Sequence, residues 1–165
     1  MHAFLTIGST RFDSLIASAF TELFLSSLRK KGYSTLVIQC GNSAFEFSSD
    51  VQNGETQTLS RAGVDVEFWK FKPSLQEDYE KADLVISHAG RFPRCWAHSQ
   101  GANEVALGSG TILDVLRMPK PMIVVPNPTL LDNHQEELAS TLEEMGHLRA
   151  ATVKCVLFEL PFGVG

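Results

Sequence analysis

The sequence is poor in the residues that build metal centres and disulfide frameworks. It contains only three cysteines among 165 residues, Cys40, Cys95 and Cys155, and no two of them form a Cys-x-x-Cys pair. This pattern indicates neither a zinc site nor a set of disulfides, and it is typical of a reducing compartment. No Asp-x-Asp motif is present. We therefore predict a protein that uses no metal and no cofactor.

Basic residues and long apolar runs are also scarce. The net charge is −5, and the one dense basic cluster, residues 29–31, lies at the end of a predicted helix, where cations complement the helix dipole. Both features argue against a nucleic-acid partner. No apolar run approaches the roughly 20 residues of a membrane span, and the first residues do not resemble a signal peptide. We therefore expect a cytoplasmic protein that needs another protein to hold it at any membrane.

What the sequence does contain is a regular alternation of strands and helices. The predicted strands are apolar throughout, which indicates a parallel sheet covered by helices on both faces, a Rossmann-like α/β fold in one domain of residues 1–165. One helix is expected to begin at a capping Asp13, to carry Leu23 on its apolar stripe and to end at Gly32. Strands are predicted at residues 3–7, 36–41, 64–71, 83–87 and 121–125, further helices at 74–82, 109–117 and 132–145, and a loop at 42–62.

Ligands of such sheets bind at the carboxyl ends of the strands, so the segments that follow each strand are the candidates for a site. Ser109, Gly110 and Thr111 open a predicted helix, where exposed N–H groups and the helix dipole favour a phosphate. Asp114 follows one turn later and is placed to hold a ribose, although Thr111-x-x-Asp114 is equally a capping box. The segments after the strands are Gly8-Ser9-Thr10, Gly41-Asn42, His88-Ala89-Gly90 and residues 127–135.

A second polar group opens the predicted helix at 132–145. Asn133, His134 and Gln135 supply more hydrogen-bonding groups than helix capping needs, and their side chains suit sugar hydroxyls and carbonyls. His88 ends a predicted strand, a position that a structural histidine and a functional one fit equally well.

Several segments of the sequence form a recognisable set. They are Thr6-Ile7-Gly8-Ser9-Thr10 with Phe12-Asp13, residues 85–90, Ser109-Gly110-Thr111-Ile112-Leu113-Asp114, residues 120–125 and 127–135, and Gly146-His147. Together these segments resemble one family, the small catalytic subunit of the two-subunit UDP-N-acetylglucosamine transferase of eukaryotic N-glycan synthesis. The similarity covers roughly residues 1–150 and is most specific at 120–148. That subunit is in turn similar to the donor-binding domain of the bacterial peptidoglycan N-acetylglucosaminyltransferase, the C-terminal half of a GT-B fold.

The resemblance implies a role for each segment. Gly90, Ser109, Gly110 and Thr111 would line the diphosphate and uridine site, and Asp114 would hold the ribose. Asn133, His134 and Gln135 would face the sugar and the phosphates. Gly8, Ser9 and Thr10 would form the acceptor-side loop at the floor of the cleft. His88 and His134 are the candidates for the catalytic base, which the sequence does not assign further.

The resemblance also implies the reaction and the partners. N-acetylglucosamine would pass, with inversion, from UDP-GlcNAc to N-acetylglucosaminyl-diphosphodolichol, the second step of lipid-linked oligosaccharide assembly. A membrane-anchored partner subunit would form a heterodimer with this chain, supply the acceptor domain and hold the chain at the cytosolic face of the endoplasmic reticulum. The expected activity is therefore that of a hexosyltransferase dependent on its partner.

Two segments depart from the family pattern. Residues 91–108 have no counterpart in it and separate His88-Ala89-Gly90 from Ser109-Gly110-Thr111, which are otherwise adjacent; an unspliced or alternative product would explain them. Residues 153–165 form an unusually short C-terminal segment. The alternative prediction is therefore a non-catalytic form of the same fold that acts as a binding module. An oxidoreductase is disfavoured, because Gly8 opens no Gly-x-Gly-x-x-Gly.

Overall fold

A computed structural model describes residues 1–49, 51–52, 54–88, 120–127, 143–144 and 149–156. Within this part of the chain, the elements in order are β1 (His2–Thr6), α1 (Asp13–Ala19), α2 (Glu22–Lys30), β2 (Thr35–Gln39), β3 (Gln57–Arg61), β4 (Val64–Trp69), α3 (Gln76–Lys81), β5 (Leu84–His88), β6 (Met122–Val125) and β7 (Arg149–Ala150). Strands and helices alternate as predicted from β1 through α2 to β2 and from β4 through α3 to β5, whereas β3 is an additional strand between β2 and β4.

The strands form one seven-stranded sheet in the order β3-β4-β2-β1-β5-β6-β7. Every neighbouring pair is parallel except β3 and β4. From β1 the chain builds the sheet outward through β2 and β4, and then crosses back to place β5 on the other side of β1. This reversal creates a crevice between the carboxyl ends of β1 and β5, which is where ligands bind in open α/β sheets. The predicted Rossmann-like fold is confirmed.

Alternate residues of the central strands pack on opposite faces of the sheet. On one face, α1 and α2 bury Leu15, Ile16 and Leu28 in a cluster that includes Leu5 and Ile86. On the other face, a smaller cluster joins the sheet to α3; it contains Phe4, Trp69, Tyr79, Ala82, Val85, Met122 and Val124. The central strands are therefore buried on both sides, as their unbroken apolar runs predict.

The prediction of a single helix up to Gly32 is wrong, because the helix is divided at Thr21. The side chain of Thr21 accepts a hydrogen bond from Phe24 N at 3.2 Å and starts a second helix, as threonine does at N-cap positions. The division changes which residues face the core: Leu25 is buried, whereas Leu23 is 68% exposed. Gly32, with φ of +93°, does end α2 as predicted.

Asp13 does not cap α1 with its side chain, contrary to the prediction. The N-cap is Phe12, which has no side-chain hydrogen bond to give. The Asp13 carboxylate instead forms an ion pair with Arg11 at 2.7 Å and accepts a hydrogen bond from Ala44 N at 2.9 Å. Both interactions lower the pKa of Asp13, the hydrogen bond from Arg11 more strongly. Asp13 therefore joins the start of α1 to the segment after β2.

The loop predicted at residues 42–62 contains an additional strand. β3 pairs antiparallel with β4 through the two-residue turn Ala62-Gly63. Both turn residues have positive φ, 53° and 74°, which is the geometry that matches the twist of a hairpin. Ala-Gly is a weaker hairpin signal than Asn-Gly, and β3 itself is polar, so neither feature predicts this strand. The prediction that residues 64–71 lie near a sheet edge is confirmed, since β4 is second from the edge.

Lys120 fixes the start of β6 against the end of α3. Its ammonium group donates to the carbonyl oxygens of Tyr79, Glu80 and Ala82, at 2.8, 2.5 and 2.7 Å. These lie at the C-terminal end of α3, where the helix leaves carbonyls unpaired and a cation is favourable. The predicted helices at 109–117 and 132–145 lie outside the described residues, apart from residues 143–144. None of the helices described is long and apolar enough to cross a membrane.

Candidate functional site

The candidate site is the crevice at the carboxyl end of β1, and its floor is the segment of residues 7–12, here called the β1 loop. The loop begins with a tight turn in which Thr10 N donates to Ile7 O at 3.3 Å. Gly8 takes a φ of +61°, which glycine adopts at little cost. Below it, Gly8 N donates to Thr6 Oγ1, and Thr6 Oγ1 forms a short hydrogen bond with Gln39 Oε1. The loop therefore rests on a buried polar pair.

The segment after β2 holds the β1 loop from one side. Asn42 Nδ2 donates to Ser9 O at 2.8 Å, and Asn42 N donates to Thr10 O at 3.3 Å. Gly41 lies against the same loop with a φ of +52°, and a Cβ there would stand 2.5 Å from Gly8 O. The close approach of the two backbones thus requires glycine at position 41.

On the opposite side, His88 at the end of β5 contacts the same loop. Its Nε2 lies 3.2 Å from Thr10 Oγ1, and Thr10 Oγ1 lies 2.6 Å from Ile7 O. His88 is buried, with only 6% of the residue exposed. Burial lowers the pKa of His88 to about 4, so the ring is neutral near neutral pH. Since a base of such low pKa has little tendency to remove a proton from a hydroxyl, the geometry favours a hydrogen-bonding role for His88.

A third strand, β6, which pairs with β5, is also linked to the β1 loop. Asn127, two residues beyond β6, is buried, and its Nδ2 donates to Arg11 O at 3.0 Å. Ser43, in the segment after β2, accepts a hydrogen bond from Phe12 N at 2.8 Å. The loop is consequently held from β2, β5 and β6 at once. Groups fixed in this way are already in place before a ligand arrives, which is what a binding site needs.

A separate groove of about 700 Å³ lies on the face of the sheet that α3 covers. Its lining mixes both charges, with Lys72 and Lys81 beside Glu67, Glu77 and Asp78. Lys72 Nζ stands 3.4 Å above the ring of Trp69, a cation–π contact. We place the candidate site at the crevice rather than in this groove, because the ligands of open parallel sheets bind at the carboxyl ends of their strands.

The structure brings together four of the predicted site residues, Gly8, Ser9, Thr10 and His88. The others lie outside the described residues, and their roles stay predictions: Gly90, Ser109, Gly110, Thr111, Asp114, Asn133, His134 and Gln135. The described residues contain no group of three or more His, Cys, Asp or Glu placed to hold a metal ion. Gly41, Asn42 and Asn127 were marked only by their positions after strands; that they hold the β1 loop could be seen only in the structure.

Comparison with known proteins defines the class. The chain belongs to the glycosyltransferase family 28 C-terminal domain family, whose model matches residues 2–92 and 107–159. The match omits residues 93–106, which fall inside the segment predicted to lack a counterpart. Residues 91–108 and 157–165 lie outside the described part of the chain, so the expectations for the insert and the C-terminus stay predictions.

Within that class the similarity is to one kind of protein. The chain is 33% identical, over 90% of its length, to the UDP-N-acetylglucosamine transferase subunit ALG13 of Cryptococcus neoformans, and spans 76% of that protein. It is 34% identical over 92% of its length to human ALG13, but spans only 11% of the human protein. The NMR structure of ALG13 matches with a TM-score of 0.61 and 26% identity, covering 99% of this chain and 89% of that one.

A more distant likeness concerns the fold alone. The crystal structure of Acinetobacter baumannii MurG matches with a TM-score of 0.59 at 18% identity, over 94% of this chain and 38% of MurG. The fold of this chain is thus shared with part of a larger protein.

Proposed function

We propose that the chain is the donor-binding, catalytic subunit of a UDP-N-acetylglucosamine transferase. It transfers N-acetylglucosamine from UDP-GlcNAc to N-acetylglucosaminyl-diphosphodolichol. The observation that carries the proposal is the β1 loop, which is held from three strands at the ligand-binding edge of a sheet, in a chain that belongs to a glycosyltransferase family. The fungal and human relatives are named as subunits of a UDP-N-acetylglucosamine transferase, which favours catalysis over a purely binding module.

The proposal assigns the work of the reaction to separate parts of the chain. Ser109, Gly110 and Thr111, with Gly90, hold the diphosphate through N–H and hydroxyl donors, and Asp114 holds the ribose. Asn133, His134 and Gln135 form hydrogen bonds with the sugar. Donors aimed at the departing UDP stabilise the transition state, and each is typically worth about 2.7–4 kcal/mol. The β1 loop forms the acceptor side of the cleft.

The acceptor domain is proposed to come from a second protein. A membrane-anchored partner subunit would form a heterodimer with this chain and hold it at the cytosolic face of the endoplasmic reticulum. The word "subunit" in the names of the relatives supports a partner of some kind. The anchor and the location are inferences from the family resemblance.

Co-expression with the anchored partner tests the proposal and the role of residues 91–108 together. We expect transfer of radiolabelled N-acetylglucosamine to the lipid acceptor only when both subunits are present. Removing residues 91–108 joins Gly90 to Ser109, and we expect it to raise the rate by at least tenfold, because the amides of one phosphate loop become adjacent.

Three results would count against parts of this account. Equal rates with and without residues 91–108 would show that the insert does not impair the site. Nucleotide binding without transfer in either form would favour the binding module. Transfer by this chain in the absence of the partner would contradict the two-subunit arrangement.

A further inference from the structure

His88 lies at the reversal point of the sheet, and its hydrogen bond to Thr10 determines which ring nitrogen carries the proton. The Thr10 hydroxyl has a single hydrogen, and this hydrogen is directed to Ile7 O at 2.6 Å. Thr10 Oγ1 can therefore only accept from His88 Nε2, 3.2 Å away. A neutral ring that donates from Nε2 keeps a bare lone pair on Nδ1.

That lone pair has no hydrogen-bond donor among the described residues. Nδ1 is fully buried, in a residue that is 6% exposed. Buried acceptors without partners are rare in native structures, because each costs the hydration it has lost. A second reason to expect a ligand is the position of His88, which ends β5 and contacts the β1 loop at the carboxyl edge of the sheet.

A lone pair accepts hydrogen bonds, so Nδ1 can contact only those parts of a nucleotide sugar that carry a hydrogen-bond donor. Ionised diphosphate oxygens are acceptors, so they repel Nδ1, and a ring whose pKa burial lowers to about 4 carries no charge to attract them. The remaining donors are the hydroxyls and acetamido N–H of the sugar, the ribose hydroxyls and the uracil N3–H. The proposed function assigns the ribose to Asp114, and titration with UDP, which contains the ribose and the uracil but no N-acetylglucosamine, separates the two groups of donors. We infer that His88 recognises the N-acetylglucosamine part of the donor, its Nδ1 accepting a hydrogen bond from a hydroxyl or the acetamido N–H. This inference rests on the proposed function.

UDP is the control ligand, because it contains every part of the donor except the sugar. In nitrogen-15 spectra of histidine-labelled full-length chain, we expect His88 to be protonated at Nε2 alone. UDP-GlcNAc should shift the Nδ1 signal, and UDP should leave it in place. Assignment of the signal comes from its loss in His88→Gln.

Two variants separate the two ring nitrogens. Glutamine retains a donor near Nε2, so His88→Gln preserves the contact with Thr10 and lacks the Nδ1 acceptor. We expect it to bind UDP like the wild type and UDP-GlcNAc about tenfold more weakly, the size of one hydrogen bond. Asparagine places an oxygen near Nδ1, so His88→Asn should recover part of the preference for UDP-GlcNAc over UDP.

The failures are distinguishable. A chain that binds neither ligand, whether it contains residues 91–108 or lacks them, overturns the proposed function and this inference with it. Binding of both ligands with an equal Nδ1 shift, an equal loss of affinity for both in His88→Gln, or a free chain protonated at Nδ1 overturns this inference alone. A free-chain Nδ1 that is already hydrogen-bonded and insensitive to UDP-GlcNAc also overturns it, since the following chain would then be the partner.

Discussion

Replacing Gly41 with alanine is expected to destabilise the protein by about 2–5 kcal/mol and to reduce sugar transfer sharply. The residue has a φ of +52°, and a left-handed conformation costs alanine roughly 1–2 kcal/mol. Its new Cβ would also lie 2.5 Å from Gly8 O and 2.9 Å from Thr10 O. Both are backbone atoms that no rotamer change can move, so the β1 loop itself must shift, at a further cost of about 1–3 kcal/mol.

Gly54 provides a matched control for the backbone cost. Its φ is +85°, and a Cβ there would meet nothing within 4 Å. Gly54→Ala should therefore cost only the roughly 1–2 kcal/mol of the left-handed conformation and leave transfer unchanged. Denaturant unfolding and the transfer rate of the two variants, measured side by side, check the prediction. Equal losses in both would show that close packing against the β1 loop is unimportant.

Acidification from pH 7 to pH 4 is expected to remove up to about 3 kcal/mol of stability through His88 alone. The unfolded chain takes up this proton near pH 6.5, whereas burial in the fold lowers the pKa of His88 to about 4. Between these values the unfolded state binds more protons, so stability falls as the pH falls. The difference of about 2.5 pKa units sets the upper limit, at 1.36 kcal/mol per unit.

Urea unfolding of the wild type and of His88→Gln across this pH range isolates the effect. Glutamine does not titrate, and the carboxylates and the other four histidines are common to both proteins. The stability advantage of the wild type should decrease by up to about 3 kcal/mol between pH 7 and pH 4. Parallel curves would contradict the burial of a neutral His88.

The sheet could be predicted because its strands are buried on both faces. Runs such as residues 84–88 and 122–125 are apolar enough to be recognised as strands even when the strands beside them in the sheet are unknown. Both are entirely buried, including His88. Two elements were predicted wrongly, the single helix up to Gly32 and the loop at 42–62. Each depends on one local interaction that the apolar pattern does not reveal. Thr21 divides a continuous apolar stripe by capping α2, and the Ala62-Gly63 turn forms a hairpin from a polar segment.

The sequence predicted which segments form the candidate site, but not the contacts that join them. The rule that ligands bind after strands marked Gly8, Ser9, Thr10 and His88, and the structure brings these residues together. It did not indicate that Asn42 and Asn127 hold the β1 loop, because those hydrogen bonds join residues 33 and 116 positions apart. Contacts of such long range follow from the strand order, which the sequence alone does not give.

The most direct test is calorimetric titration of the chain lacking residues 91–108 with UDP and with UDP-GlcNAc. If the crevice beside β1 and β5 belongs to a sugar-nucleotide site, both ligands will release or absorb heat with one site per chain, and UDP-GlcNAc will bind more tightly. Absence of heat with either ligand, from a protein that unfolds cooperatively, would contradict the claim that this chain supplies the donor site.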